Sequence, residues 1–216
     1  MSEYRTISVA LKNKTSLWWQ TEKSNGYPVG CGPTAWAIVF GYWKQYKGRN
    51  RLLDGITMPH SQTGSTDADL SKHMEEIAKD TETTYGSYGG GYGRTTPSKM
   101  LKAKKYIKRR DYSCSIERIL GTEFTKFRKV KAWLLKDRPV IILSNDPAQA
   151  LTTLHYPVIE KAKLVQRKRL GRWRDRSVRY YVNLGNSRRK WIWVREVGPN
   201  EHSHTGSFSM FLLNIN

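Results

Sequence analysis

Apolar residues recur at helical spacing through most of the first two thirds of the chain. The clearest stripe runs from Ala35 to Trp43, where bulky apolar side chains return every three or four residues after Pro33, a residue suited to the first helical position. A second helix is expected after Thr66 as its cap, because acidic residues fill its first turn. The pattern therefore predicts a helix from residue 33 onward and others over residues 67–79, 98–108 and 124–136.

The period changes beyond Pro139, where short apolar runs are typical of strands. A basic turn around Gly171 joins two of these strands into a hairpin. The predicted strands cover residues 6–11, 140–143, 155–165, 176–183 and 191–196. Helices followed by an antiparallel sheet indicate an α+β fold in a single domain, 1–216, with a helical lobe over about 16–136 and a sheet lobe over about 137–216.

The chain carries a large excess of positive charge. Its 216 residues include 38 Lys or Arg against 18 Asp or Glu, a formal net charge of +20, which predicts attraction to nucleic acid, a lipid headgroup surface or an acidic protein. The excess is concentrated in residues 99–110 and 161–195, and the second segment mixes arginines with Trp173, Tyr180 and Tyr181, which suits phosphate contacts and stacking. Solvated faces are the alternative interpretation of both segments.

Composition disfavours several classes of protein. Two cysteines, Cys31 and Cys114, are too few for a disulfide scaffold, and no metal-ligand spacing occurs, so no cofactor or metal is predicted. The N-terminus lacks the charged start and apolar run of a secretory signal, and no apolar stretch has the length of a membrane span. We expect a soluble protein, either cytoplasmic or exported without a cleaved leader.

The candidate chemistry centres on Cys31, within the run GCGPTA at residues 30–35. The unpaired N–H groups and the dipole of a helix N-terminus favour the thiolate, which is the nucleophilic form of cysteine. A small buried helix residue is the alternative. His155 is the candidate base because it opens an apolar strand, although it too could be structural. The other histidines, which are predicted to lie at the surface, are His60, His73, His202 and His204.

Five segments together resemble papain-like cysteine peptidases, most closely the streptopain-like and bacteriocin-processing types. They are Trp18-Trp19-Gln20, residues 30–35, Pro139-Val140-Ile141, His155-Tyr156-Pro157-Val158-Ile159 and Val182-Asn183-Leu184-Gly185. The order Gln, Cys, His, Asn is that of the family, and the likeness covers nearly the whole chain. The resemblance implies an N-terminal helical part whose central nucleophile helix packs on a C-terminal antiparallel sheet.

The resemblance also implies a role for each of four residues. Cys31 would be the nucleophile, and His155 its general base and later its acid. Asn183 would orient the imidazole, while the Gln20 side chain and the Cys31 N–H would form the oxyanion hole. Asn186 is a rival orienter, because the chain departs from the family's Asn-Trp-Gly-Trp pattern after Asn183. A turn residue and a surface-loop residue are the alternatives for Asn183 and Gln20.

Two classes of function follow. The first is a thiol hydrolase that cleaves peptide or isopeptide bonds of a protein or peptide substrate through a thioester, as a bacterial effector or toxin with an inhibitor or immunity protein as partner. Deamidation and transglutamination would use the same residues. The second is a basic module that binds nucleic acid or anionic membrane through residues 161–195. The glycine-rich segment over residues 85–93, with Thr95 after it, is similar to a substrate-side loop of streptopain-like enzymes.

Overall fold

A computed structural model describes residues 3–23, 26–86, 93–145, 154–196 and 207–216. The helices are α1 (Cys31–Lys47), α2 (Ala68–Asp80), α3 (Pro97–Met100), α4 (Lys104–Lys108) and α5 (Glu123–Leu135), with a 3₁₀ turn, Leu101–Ala103, between α3 and α4. The strands are β1 (Tyr4–Ala10), β2 (Cys114–Ile119), β3 (Val140–Asn145), β4 (Leu154–His155), β5 (Val158–Arg169), β6 (Arg172–Asn183), β7 (Arg189–Glu196) and β8 (Ser207–Ile215). This mixture of helices and antiparallel strands confirms the predicted α+β class.

The strands form one antiparallel sheet in the order β2-β8-β3-β5-β6-β7, with β1 paired to β5 and β4 paired to β3. Successive residues of β3 and β8 alternate between two hydrophobic clusters, so both faces of the sheet are covered. Ile141 and Phe211 pack with α1 and α2, whereas Val140 and Leu212 pack with α5 on the opposite face. Helix α1 is therefore central to the fold, as its apolar stripe predicts.

Every residue of α1 from Gly32 to Trp43 is buried, and the helix also anchors the loop before it. The Trp18 ring lies so close to Gly41 that an added Cβ there would be 2.8 Å from it. Trp18 also donates from Nε1 to the His60 carbonyl at 3.0 Å. The loop that carries Gln20 is thus fixed against α1 by a buried tryptophan.

The sequence analysis does not predict β2 or β8. Strand β8 lies between β2 and β3, and its run SFSMFLLNI is too short and too apolar for periodicity alone to separate a strand from a buried helix. Strand β2 pairs with β8 along its whole length. It lies in the segment expected to form the helical lobe, so the sheet includes residues from both predicted lobes.

Two helices differ from their predicted form. Helix α2 is capped by Asp67 rather than Thr66, and the Asp67 carboxylate accepts the Leu70 N–H at 3.1 Å. The segment predicted as one basic helix is α3, the 3₁₀ turn and α4 in succession.

The prediction that His73 lies at the surface is wrong, because its side chain is 2% exposed. Its Nε2 donates to the Asp54 carbonyl at 2.7 Å, and its Nδ1 accepts from the Tyr106 hydroxyl at 2.8 Å. His60 is half-buried and pairs with Asp67 at 3.1 Å, while His202 and His204 lie outside the described residues. His73 is therefore a hydrogen-bonded core residue.

The hairpin predicted around Gly171 is formed by β5 and β6. Its two-residue turn, Leu170 and Gly171, has positive φ at both positions, 50° and 72°, which suits the right-handed twist of the flanking strands. Within the described ranges no helix combines the length and apolarity needed to cross a membrane.

Candidate active site

Cys31 is the first residue of α1, two residues before the expected start at Pro33. Gly30 precedes it with φ 99°, and an added Cβ on Gly30 would lie 2.3 Å from the Gly93 carbonyl oxygen. An added Cβ on Gly32 would lie 2.7 Å from Thr95 Oγ1. The two glycines of the motif therefore allow residues 93–95 to cross the helix N-terminus in close contact, which places the thiol where helix N–H groups stabilise negative charge.

The imidazole of His155 lies beside the Cys31 thiol. Burial raises the pKa of the Cys31 thiol, but the hydrogen bond and charge of His155, with the backbone N–H groups of Tyr156 and Cys31, outweigh burial and lower it. Both side chains are only partly buried. By contrast, burial raises the pKa of the Cys114 thiol. The structure thus brings together the two residues on which the proposed chemistry depends.

A main-chain carbonyl holds the other side of the imidazole. Nε2 of His155 lies 2.5 Å from the carbonyl oxygen of Leu184. Because a carbonyl can only accept a hydrogen bond, Nε2 carries the proton, and the lone pair of the neutral ring is on Nδ1, the nitrogen available to the Cys31 thiol. This is the tautomer that a general base requires.

Asn183 is fully buried, but its side chain bonds elsewhere, which differs from the expected contact with the imidazole. Its Nδ2 donates to Thr15 Oγ1 at 2.9 Å and to the Ser16 carbonyl at 2.7 Å, and its Oδ1 accepts the Gly185 N–H at 3.0 Å. Asn183 therefore shapes the turn that presents the Leu184 carbonyl to His155.

The same turn contains Asn186, the rival orienter. Leu184 N–H donates to the Arg188 carbonyl at 2.9 Å, and Gly185 at φ 67° packs against Thr34 of α1. Asn186 is exposed and forms a β-bridge with Trp19. The bridge joins the turn to the loop that carries Gln20, and none of the hydrogen bonds among the described residues joins Asn186 to His155.

Gln20 is held beside the nucleophile by its carbonyl oxygen. Its Oε1 accepts the Gly30 N–H at 3.1 Å, one residue before Cys31. Within the described part of the chain its Nε2 has no partner, so two N–H donors remain for a substrate oxygen. The arrangement differs from that of a surface-loop glutamine, because one end of the amide is fixed while the donating end is available.

A buried polar network, Thr15, Glu160, Asn183 and Arg189, lies behind the site. The Glu160 carboxylate accepts the Thr15 N–H at 2.8 Å, the Thr15 hydroxyl at 2.6 Å and Arg189 Nε at 2.8 Å. Arg189 also donates to the Thr15 carbonyl, and Asn183 donates to the Thr15 hydroxyl. Glu160 is 2% exposed, so the ion pair is almost dry. The network ties the start of the Gln20 loop to β5, β6 and β7.

Sequence reasoning misses Leu184 and this network. A main-chain carbonyl acceptor leaves no side-chain signal, so nothing in the sequence marks Leu184 for this role. Glu160 carries a signal, because a carboxylate directly after the apolar run at residues 156–159 of a predicted strand is expected to need a buried partner. Residues 87–92 of the glycine-rich segment lie outside the described residues. Among the described residues, no cluster of three or more His, Cys, Asp or Glu side chains is arranged to hold a metal.

Comparison with known proteins identifies the fold and the family. The active wild-type interpain A cysteine protease of Prevotella intermedia has a similar structure, with a TM-score of 0.57 and 15% identity, covering 96% of this chain and 94% of that one. The similarity confirms the papain-like fold. No curated protein matches the sequence. The model of the Peptidase_C39 like family matches residues 7–163, which include Gln20, Cys31 and His155 and end before Asn183. The match spans most of the chain, which therefore belongs to the Peptidase_C39 like family of papain-like cysteine peptidases.

Proposed function

We propose that this protein hydrolyses peptide bonds through a thioester on Cys31, with His155 as general base and acid. The observation that carries the proposal is the contact between the two side chains, which lowers the pKa of a thiol at a helix N-terminus. The lowered pKa is notable because burial alone would raise it, as it does at Cys114.

The acylation step uses each group that lies around the thiol. Nδ1 of His155 takes the thiol proton, and Sγ attacks the carbonyl carbon, so that a C–S bond forms and the carbonyl electron pair moves to oxygen. The Gln20 Nε2–H and the Cys31 N–H donate to that oxyanion. The imidazolium then gives its proton to the leaving amine as the C–N bond breaks, which leaves a thioester.

Deacylation returns the enzyme to its starting state. His155 takes a proton from water, the hydroxide oxygen attacks the thioester carbonyl, and the C–S bond breaks to release a carboxylic acid and the thiolate, which recovers the proton from the imidazolium. The Leu184 carbonyl accepts from Nε2 throughout, so the ring cannot present the wrong nitrogen. A neutral carbonyl replaces the amide oxygen that the sequence predicts for this role.

Digestion of a random-sequence decapeptide library, read by mass spectrometry, tests the proposal. We expect cleavage by the wild type and by Cys114→Ala, and none by Cys31→Ala or His155→Ala. Gln20→Glu keeps the size and the acceptor for Gly30 but removes the donors, so it should lower kcat by about 10²–10³.

Three results would contradict the proposal: unchanged turnover in Cys31→Ala, release of ammonia without cleavage, or a library left intact. Ammonia release would indicate a deamidase instead, since the same thioester can form from a glutamine side chain.

A further inference from the structure

One sheet face carries a set of cations beyond the catalytic centre. Strands β1, β5, β6 and β7 alternate between the α5 side, which is apolar, and the side on which α1 lies. We call the second side the cationic sheet face, and it is formed by Tyr4, Lys161, Lys163, Arg167, Arg174, Arg179, Tyr181 and Trp191.

Aromatic rings hold several of these cations in place. Lys161 Nζ lies 5.2 Å from the ring centroid of Tyr181, which is its cross-strand partner. Lys163 and Arg179 both lie over Trp191, at 5.0 and 5.3 Å. Cation–π contacts of this kind fix the direction of otherwise mobile side chains. The face therefore presents an ordered array of positive charge.

The strand register places like charges directly opposite one another. Lys163 pairs with Arg179, and Arg167 pairs with Arg174. Like charges directly opposite one another are unfavourable in a sheet, and an anion bound beside Lys163 or Arg174 would lessen the repulsion.

Three cations of this face, Lys161, Lys163 and Arg174, form no ion pair among the described residues. Asp175, the only acid between residues 161 and 195, bonds to Gln166 and to Arg128 of α5, on the opposite side of the sheet. These three charges are therefore uncompensated within the described part of the chain.

The position of the face relates it to the catalytic pair. Glu160, Asn183 and Arg189, which underlie the site, belong to the same side of the sheet as Lys161, Tyr181 and Trp191. Five residues of β5 separate Val158 from Lys163, or roughly 16 Å of extended chain. A polypeptide that occupies the Cys31–His155 site can therefore extend across the face.

The geometry points to an acidic segment of the polypeptide substrate as the occupant of the cationic sheet face, and we propose that this face is an exosite for such a segment. The inference rests on the proposed peptidase function. Charge complementarity supports an acidic chain. Nucleic acid is less suited, because the Tyr181 and Trp191 rings on which bases would stack are already covered by cations.

Binding is tested first, apart from catalysis, in a Cys31→Ala background. The probe is a fluorescein-labelled (Glu-Gly)₆ peptide, followed by anisotropy at 50 and 150 mM NaCl. Neutralising the face with Lys161→Gln, Lys163→Gln and Arg174→Gln should weaken binding about tenfold or more. The matched control, Lys79→Gln, Lys104→Gln and Lys108→Gln, removes three exposed charges from α2 and α4 that form no ion pair with any described residue, and should change binding less than twofold.

A cleavage assay then distinguishes failure of the proposed exosite from failure of the proposed peptidase activity. One decapeptide library carries (Glu-Gly)₄ and the other carries (Gln-Gly)₄, and each tag is placed at the N-terminus or at the C-terminus of the peptides. In one of these placements the wild type and the control triple variant should cleave the acidic library faster than the neutral one. The variant with Lys161→Gln, Lys163→Gln and Arg174→Gln should cleave both at the same rate. Equal rates for both libraries in both placements would overturn the exosite and leave the peptidase intact. No cleavage of either library would overturn the peptidase and the exosite together.

Two binding results would also overturn the exosite. One is no binding of the acidic peptide. The other is that a 12-nucleotide poly(dT), or vesicles with 30% phosphatidylserine, bind more tightly than the acidic peptide at 150 mM NaCl and lose that binding with the same three substitutions. That result would assign the face to nucleic acid or membrane.

Discussion

The two thiols of the chain show how local surroundings decide whether a cysteine is reactive. Both are partly buried, yet the pKa of Cys31 is lowered and that of Cys114 is raised. The difference comes from donors: Cys31 has His155 and backbone N–H groups, whereas around Cys114 burial outweighs the distant charges of Lys104 and Lys108. The chemistry of each thiol follows from its hydrogen bonds rather than its exposure.

We expect iodoacetamide to modify Cys31 well before Cys114 at about pH 6.5, because a lowered pKa keeps the thiolate populated as the pH falls. As the pH rises toward the ordinary thiol range the difference should narrow, since Cys114 then ionises as well. Peptide mapping by mass spectrometry measures both rates. His155→Ala should remove the preference for Cys31, and equal rates in the wild type would refute the assignment.

At the scale of elements, the sequence predicts the helix and the strand that carry the proposed catalytic residues better than it predicts the group that orients the imidazole. The glycine and proline signals around Cys31 fix the start of α1 to within two residues, and the strand that opens at His155 brings its ring to the thiol. Asn183 also lies beside the site, but bonds to Thr15 instead of the imidazole. Which acceptor bonds to the imidazole depends on the conformation of the turn. Every residue has a main-chain carbonyl, so no residue type in the sequence identifies the one that accepts.

Substitutions in the turn that carries Leu184 test whether Asn183 supports the Leu184 carbonyl or Asn186 orients the imidazole. Asn183→Ala removes three buried hydrogen bonds, so it should lower the free energy of unfolding by about 1–3 kcal/mol and slow the alkylation of Cys31 at acid pH, because the Leu184 carbonyl loses its support. Asn186→Ala is the matched control at an exposed position of the same turn and should resemble the wild type. Urea unfolding and the pH profile of alkylation are the measurements, and an altered profile in Asn186→Ala alone would assign orientation to Asn186.

At the scale of the whole molecule, the proposed active site is assembled from two segments that lie far apart in the chain. Residues 15–31 carry the proposed oxyanion donors and nucleophile, and residues 155–189 carry the proposed base and the groups that support it. The network of Thr15, Glu160, Asn183 and Arg189 joins these parts across the sheet. Its buried ion pair contrasts with the exposed pairs elsewhere on this highly charged surface, such as Glu117 with Lys129.

That contrast gives a prediction about stability and catalysis together. Glu160→Gln keeps the shape of the side chain but leaves the Arg189 charge buried without compensation, so the free energy of unfolding should fall by at least about 3 kcal/mol. Glu117→Gln breaks an exposed ion pair and should cost less than about 1 kcal/mol. Urea unfolding gives both values, and kcat on a library-derived peptide should fall in Glu160→Gln alone, because the contacts of Thr15 with Glu160, which tie the Gln20 loop to β5, are weakened. Equal stability and turnover in the two variants would show that the loop is held by Trp18 packing, so that the oxyanion donors are positioned by the core rather than by the buried charge.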